Sequence, residues 1–540
     1  MLVRVPLLFG LALFLVPAAA LGFDINMLAS LFALSRGREV FTIILLGLLA
    51  AWLCGMSSLL IWEYAPQRMH HLTLRLSPFW QNRRILRVLP FTVLALPLMT
   101  VIWRNVENHA PRLGPMVLGV IAALLVVGLV VLLRAVVLDR LEAFITDRVV
   151  ARVLQWIPRS IWAGYIEVEE AGRMHFRAGH GTATAILIVL AMAYWYGDRF
   201  LRPGQVEGSQ LPALAYLLVL LMLLVSLLSG TSFFLDRFRL PLLLSLILWS
   251  FLSYGLNTDH TFPVRAVRPY GLDIPSAGES IEPWLAGEEG AGREKPTLLV
   301  VCASGGGIQA SAWTARLLTW LQEDLGEPFT RSIRLISSVS GGSLGTLYFL
   351  EAFEKKRGAP APESLETIRR ASSSSSLSAT AWGLVFPDFQ RAFFRFFVNP
   401  ATDRASAMEQ AWRLALRLPN RRPIDTRLSQ WTAQVRAGEL PATVFNSFIV
   451  ETGQRMLFNT VDISMTRRAR TFAKLYGQGR ALDVDIDVIT AARLSATFAY
   501  VTPIARAQWQ GAQPATRQLA TDHLADGGYF DNFGVLTAVE

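Results

Sequence analysis

Three short motifs in the second half of this sequence hold the residue types that acyl transfer needs. They are Ser304-Gly305-Gly306-Gly307, Ser338-Val339-Ser340-Gly341-Gly342-Ser343 and Asp526-Gly527-Gly528. A serine hydroxyl attacks a carbonyl carbon only when a base takes its proton, and the oxyanion that forms needs N–H donors aimed at it. Glycines leave such donors uncovered. Gly305, Gly306 and Gly307 read as donors at a helix N-terminus, where the helix dipole adds positive potential. Gly341, directly after a serine, is a further candidate. The base is the harder assignment. Only His260 and His523 lie in this half, and both precede Asp526, whereas a Ser–Asp–His order places its histidine last. The pattern therefore points to a dyad in which the Asp526 carboxylate acts directly. A free carboxyl, with a pKa of about 3.9, is a weak base, but burial in an apolar pocket raises that value. Two serines compete for the nucleophile. Gly341-Gly342-Ser343-Leu344-Gly345 matches G-x-S-x-G by letter, yet Ser343 would lie a turn into the helix. Ser340 sits at the turn itself and is preferred, with Ser343 as the alternative.

The elements around these motifs follow from hydrophobic pattern. Thr297 to Ala303 is a buried-strand run, and Ile308 to Leu325 repeats apolar residues at helical spacing. Ile333 to Ser338 is a second short strand, and a second helix runs from about Gly342 to Lys356. Two strand–turn–helix units in series open a three-layer α/β fold, and a parallel pair brings both turns to one sheet edge. Val444 to Glu451 and Met456 to Ile463 read as strands around Thr452-Gly453-Gln454, and Thr490 to Ala496 as helix. Phe386 to Phe397 interleaves phenylalanine with arginine, which fits a membrane interface, a lid, or a core helix with snorkelling arginines.

At these residues the sequence resembles the patatin-like phospholipase family, related to cytosolic phospholipase A, over roughly 297–534. Gly305-Gly306-Gly307 looks like the family's oxyanion loop, the turn around Ser340 like its nucleophile elbow, and Asp526-Gly527-Gly528 like its D-G-[GA] motif. Asp403-Arg404 to Trp412, Phe445-Asn446 to Asn459 and Ala492 to Pro503 also look like family segments. The resemblance implies an α/β/α sandwich and a Ser340–Asp526 dyad. It also implies no metal or cofactor, and hydrolysis of glycerolipid acyl esters. Two positions depart from the pattern: Ser338 replaces the first elbow glycine, and Gln309 stands where many relatives carry Arg or Lys.

The composition adds a membrane. The chain has 540 residues, 52% hydrophobic and 17% charged, against about a quarter charged in soluble domains. Apolar runs crowd the first half, with seven candidate spans at 5–22, 40–62, 85–103, 113–133, 181–197, 211–228 and 240–256. Each approaches the length of about 20 residues that a bilayer requires. The first run, Arg4 followed by Leu7 to Val16 and Pro17-Ala18-Ala19-Ala20, also looks like a signal peptide with a small-residue cleavage site, with a retained helix preferred. Val149, Val150, Val153, Leu154 and Ile157, set between arginines, suit an interfacial helix or a solvated one. Arginines favour the loops that would be inside if the N-terminus is inside, which puts the second half outside the cytoplasm. One helix more or fewer reverses that, so the side stays open.

No acidic or histidine cluster marks an ion path. The net charge of +10 is mostly arginine, which suits phosphate headgroups, and no nucleic-acid module is present. Cys54 and Cys302 read as small buried residues. The expected organisation is a multi-pass α-helical membrane region over 1–258, a linker over 259–296, rich in Gly, Glu and Pro from 276, and a catalytic α/β/α domain over 297–540. The expected protein is an integral membrane serine hydrolase of phospholipase A or lysophospholipase type, with a bilayer glycerolipid or phospholipid as substrate. A lipid transacylase on the same dyad and a non-catalytic membrane scaffold are the rivals.

Overall fold

The computed structural model describes residues 4–22, 31–68, 95–104, 113–138, 156, 166–168, 174–176, 179–204, 211–235, 240–255, 259–267, 272–290, 296–355, 357–394, 402–418, 424–463, 469–477, 481–499, 501–511 and 519–540. The chain divides into two compact units, Met1–Ser253 and Tyr254–Glu540.

The described residues of the first unit are mainly helical, with one short antiparallel strand pair, Ile166–Val168 and Met174–Phe176. Its helices are α1 (Arg4–Gly22), α2 (Gly37–Arg68), α3 (Ala95–Arg104), α4 (Leu113–Leu133), α5 (His180–Phe200), α6 (Ala213–Leu235) and α7 (Leu242–Gly255). Helix α2 is central and packs against α4 and α6. Small residues set the approach: a side chain on Gly119 of α4 would come 2.9 Å from the Cβ of Ile44 on α2. Among the described residues, three helices are long and apolar enough to cross a membrane: Gly37–Ile61, Leu113–Val136 and Ala213–Phe233. The apolar stretches Val5–Ala20, Ala95–Arg104 and Leu242–Leu252 are shorter. The fifth expected span, 181–197, lies within α5, where threonines, Trp195, two tyrosines and Asp198 dilute the apolar character. The expected interfacial helix around Val149 to Ile157, and residues 85–94 of the third span, lie outside the described residues.

The second unit is built on a nine-stranded mixed sheet. Its strands are β1 (His260–Ala266), β2 (Leu299–Ala303), β3 (Ile333–Val339), β4 (Ala442–Ile449), β5 (Arg455–Asn459), β6 (Ala469–Thr471), β7 (Val484–Asp485), β8 (Ala505–Trp509) and β9 (His523–Asp526). The order is β6-β5-β4-β9-β8-β1-β7, and β3, with β2 beside it, also pairs with β4. Strand β1 corrects the sequence reading. The stretch 259–296, expected as a linker, supplies a sheet strand paired parallel with β8, and the helix α8 (Ala277–Gly290). Alternate burial marks β1: Phe262 and Val264 are fully buried, while Thr261, Pro263 and Arg265 are only partly so.

Helices α9 (Gly307–Leu325) and α10 (Gly341–Glu351) follow β2 and β3. Farther along come α11 (Arg404–Ala415), α12 (Val488–Ser495) and α13 (Val535–Val539). Helix α10 is buried all round: every residue from Gly341 to Leu350 is inside. Layering can be read from two adjacent residues of β3. Ser337 Oγ donates to the Gly534 carbonyl, just before α13. The next residue, Ser338, meets Ser343 of α10. Successive strand side chains point to opposite faces, so α10 and α13 cover opposite sides of the sheet.

The described part of the Phe/Arg stretch is a core helix. Phe386 and Arg391 are buried, and Arg391 donates to the carbonyls of Asp259 and Thr402. Arg395, Phe396 and Phe397 lie outside the described residues. Cys302 departs from expectation: it is exposed on β2, which pairs only with β3 among the described strands.

Candidate active site

One strand brings the distant motifs together. Along a single edge of β4, residues Ala442 to Asn446 pair in parallel with β3, and Ser447 to Ile449 pair antiparallel with β9. The last residue of β3, Val339, lies opposite Asn446, while the last residue of β9, Asp526, lies opposite Ser447. Two strands running toward each other thus end at neighbouring positions of a third. Ser340 follows Val339 directly, so the sheet register alone sets it against Asp526.

Ser340 Oγ donates to Asp526 Oδ2 at 2.6 Å, the short distance of a charge-assisted O–H···O bond. Ser340 adopts φ 54°, the one positive φ outside glycine among the described residues. That conformation costs about 1–3 kcal/mol and recurs at active sites. It turns the side chain out of the strand line at the head of α10. The backbone is pinned in return: the Ser340 N–H donates to Ser495 Oγ at 3.1 Å, and Ser495 Oγ donates to the Asn446 carbonyl at 2.5 Å. Asp526 is 3% exposed. Burial pushes its carboxyl above the ordinary range, and hydrogen bonds from Ser340 and from the Gly528 N–H pull part of the way back. The Gly528 bond, 2.8 Å to Oδ1, fixes the carboxylate plane.

The glycine loop abuts the elbow. A Cβ on Gly341 would stand 2.7 Å from the Gly307 carbonyl carbon, and one on Gly342 would stand 2.6 Å from the Ser304 oxygen. The space for those side chains is filled by main chain, which explains why these positions are glycine. Gly306, at φ 148°, and Gly307, at φ 60°, turn β2 into α9. The Gly306, Gly307 and Gly341 amides stand at helix starts, where no carbonyl of the same helix reaches them. Gly305 corrects the sequence reading. Its N–H donates to the Asn532 carbonyl at 2.8 Å, so it anchors the loop to the segment after Asp526 instead of offering a free donor.

Ser343 is fully buried behind the elbow. Its Oγ bonds the hydroxyls of Ser338 and Ser495 at 3.1 and 2.9 Å, not Asp526. Ser338, in place of the first elbow glycine, joins that hydroxyl network. The histidines are elsewhere: His260 Nδ1 lies 2.8 Å from Asp403, and His523 Nδ1 lies 2.5 Å from Glu451. Gln309 is exposed on α9. Ser495, Asn446 and Asn532 were not singled out from the sequence. Asn446 donates to Ser337 Oγ and to the Ser338 carbonyl, both at 3.0 Å. Its signal was available: an asparagine within the apolar run Val444 to Val450 must find buried partners. Ser495 and Asn532 act through long-range contacts and carry no local signal.

Residues 301–539 match the family model described as patatin-like phospholipase. This segment is a patatin-like phospholipase domain. Its family is one of lipid acyl hydrolases, and its mixed sheet between helices fits the α/β/α architecture. No curated protein and no solved structure matches the chain. Within the patatin-like domain, exposed apolar side chains adjoin the loops that carry Ser340 and Asp526. Ile308 follows the glycine loop, and Tyr529, Phe530 and Phe533 follow Asp526. Phe498 stacks on Tyr529 with ring centroids 6.1 Å apart.

Proposed function

We propose that this protein is a membrane-bound serine hydrolase of phospholipase A or lysophospholipase type, with Ser340 as nucleophile and Asp526 as its base. The observation that carries the reading is the 2.6 Å hydrogen bond between a serine on a strained elbow and a buried, basicity-raised carboxylate. Asp526 takes the hydroxyl proton as Ser340 Oγ bonds to the ester carbonyl carbon. The oxyanion is met by the Gly306, Gly307 and Gly341 amides. As the intermediate collapses, Asp526 returns the proton to the departing alcohol and the acyl group stays on Ser340. Water, deprotonated by the same carboxylate, then releases the fatty acid and restores the hydroxyl.

Burial supplies the basicity that histidine supplies in a triad. The apolar rim of Ile308, Phe498, Tyr529, Phe530 and Phe533 supports an acyl-chain substrate. Three helices with the length and apolarity of membrane spans support a multi-pass integral protein. The test is release of fatty acid from phospholipid and lysophospholipid vesicles by the purified full chain. Wild type should hydrolyse and bind a fluorophosphonate at Ser340. Full activity in both Ser340→Ala and Asp526→Asn would overturn the dyad. Acyl product formed only when an alcohol acceptor is added would favour the transacylase reading.

A further inference from the structure

Gly305 and Gly528 leave room between them for one side-chain group, the carboxamide of Asn532. A Cβ on Gly305 would collide with Asn532 Oδ1 and stand 3.1 Å from the Ser340 Cβ. One on Gly528 would stand 2.8 Å from the same Oδ1 and 3.1 Å from Asp526 Oδ1. The carboxamide therefore lies between the glycine loop and the turn after Asp526, beside both Ser340 and Asp526.

The main chain holds it there without help from the side chain. The Asn532 carbonyl accepts from the Gly305 N–H at 2.8 Å, and the Phe530 and Asp531 amides donate to the Gly527 carbonyl at 3.0 and 3.1 Å. The Asp531 carboxylate accepts from the Phe533 N–H at 2.9 Å and from the Leu536 N–H at 3.0 Å. Asn532 itself is exposed, and its carboxamide makes no hydrogen bond among the described residues. A carboxamide carries two N–H donors and one acceptor oxygen, and a half-turn about its Cβ–Cγ bond exchanges them without moving the chain. A donor on a pinned loop beside the nucleophile, with no partner of its own, is what a developing negative charge calls for. The glycine loop is also one donor short, because the Gly305 amide is engaged by the Asn532 carbonyl.

We propose that Asn532 is a further catalytic residue of the Ser340–Asp526 site, its side-chain amide donating a hydrogen bond to the substrate's carbonyl oxygen as that oxygen becomes the oxyanion. The inference rests on the dyad reading above. When Ser340 Oγ bonds to the carbonyl carbon, its proton passes to Asp526 and the carbonyl π pair moves onto oxygen. The Asn532 N–H meets that charge together with the Gly306, Gly307 and Gly341 amides. Such a bond strengthens as charge develops, so its loss falls on kcat and not on KM.

The test uses the purified full chain, a fluorogenic phospholipid ester and a long-chain trifluoromethyl ketone, which Ser340 converts to a hemiketal bearing the same oxyanion. Asn532→Ala should lower kcat at least about 10-fold, toward the loss of about 10²–10³ for a removed oxyanion donor, with KM little changed. The ketone should bind more weakly by the factor by which kcat/KM falls. Asn532→Asp, similar in size but without the donor, should be at least as slow. Both variants keep the main-chain bond to Gly305, so their melting temperatures should stay near wild type. A wild-type kcat/KM in Asn532→Ala would overturn the proposal. So would a slowed Asn532→Ala that holds the ketone as tightly as wild type, a result that would move Asn532 to the water-attack step. Should Asn532→Ala fail to fold, a wild-type rate in Asn532→Asp overturns it instead. The dyad reading fails by a different result, hydrolysis and ketone binding that survive Ser340→Ala.

Discussion

Replacing Gly341 with alanine tests the contact that holds the proposed nucleophile against the glycine loop. Gly341 has no positive φ, so alanine meets no backbone strain there. What it meets is the Gly307 carbonyl. The new Cβ would begin 2.7 Å from the carbonyl carbon, nearer still to the oxygen, where ordinary contact begins at 3.4 Å. The two chains must part by at least about 0.7 Å, and neither contacting group is a flexible side-chain end that could swing away. Ser340 lies on one side of this contact and the Gly306 and Gly307 amides on the other. The separation therefore falls directly on the distance between nucleophile and oxyanion donors. A misplacement near 1 Å costs about 100-fold in rate, or about 2.7 kcal/mol of barrier. The assay is kcat/KM on a fluorogenic phospholipid ester, with the rate of fluorophosphonate labelling as a second readout, since both need the serine and its donors in register. Gly287→Ala is the control: its Cβ would meet nothing within 4 Å in α8, so activity should stay unchanged. A Gly341→Ala enzyme that hydrolyses and labels at the wild-type rate would refute the geometric argument.

Other expectations follow from the same site. Asp526→Asn should lower kcat by about 10²–10⁴, as expected for loss of a general base. Because burial raises the Asp526 pKa, its ionisation costs folding stability as pH rises from the ordinary carboxyl value through the raised one. Asp526→Asn should therefore melt above wild type at neutral pH, with the gap closing in acid; a lower melting temperature at neutral pH would contradict the direction. Wild-type activity should fall as pH drops through that raised value, read from a pH–rate profile of kcat. Ser343→Ala should keep activity within a few-fold and lose about 1 kcal/mol of stability, the worth of one hydrogen bond; an inactive, folded Ser343→Ala would move the nucleophile. His260→Ala should lose stability, since it strips a partner from buried Asp403, yet keep kcat; a histidine-dependent rate would contradict a carboxylate base.

Much of the local architecture was legible because it depends on short-range pattern. The apolar runs before the glycines form β2 and β3, and the helical periodicities after them form α9 and α10. The hairpin around Thr452-Gly453-Gln454 joins β4 to β5. Reading failed where the cause was long-range. Strand β1 reads as linker because its pairing partners, β7 and β8, lie more than two hundred residues away. The Gly305 amide reads as a free donor because nothing in the glycine loop shows that the Asn532 carbonyl claims it. Cys302 was expected inside because its neighbours are apolar, yet edge position leaves it exposed.

The sequence by itself determined which residues could do the chemistry. It supplied a serine after a strand, uncovered glycines at helix starts and a late aspartate with no histidine behind it. It also determined the apolar helices, since a run of twenty apolar residues has few other stable fates. Only the tertiary structure decided which serine faces the carboxylate and which amides stay free. The reason is physical: a strand fixes its own conformation through neighbours two residues away, but its register against another strand is set by the partner. The meeting of Ser340 and Asp526 at adjacent positions of β4 is a property of that register, and no local stretch of the chain contains it.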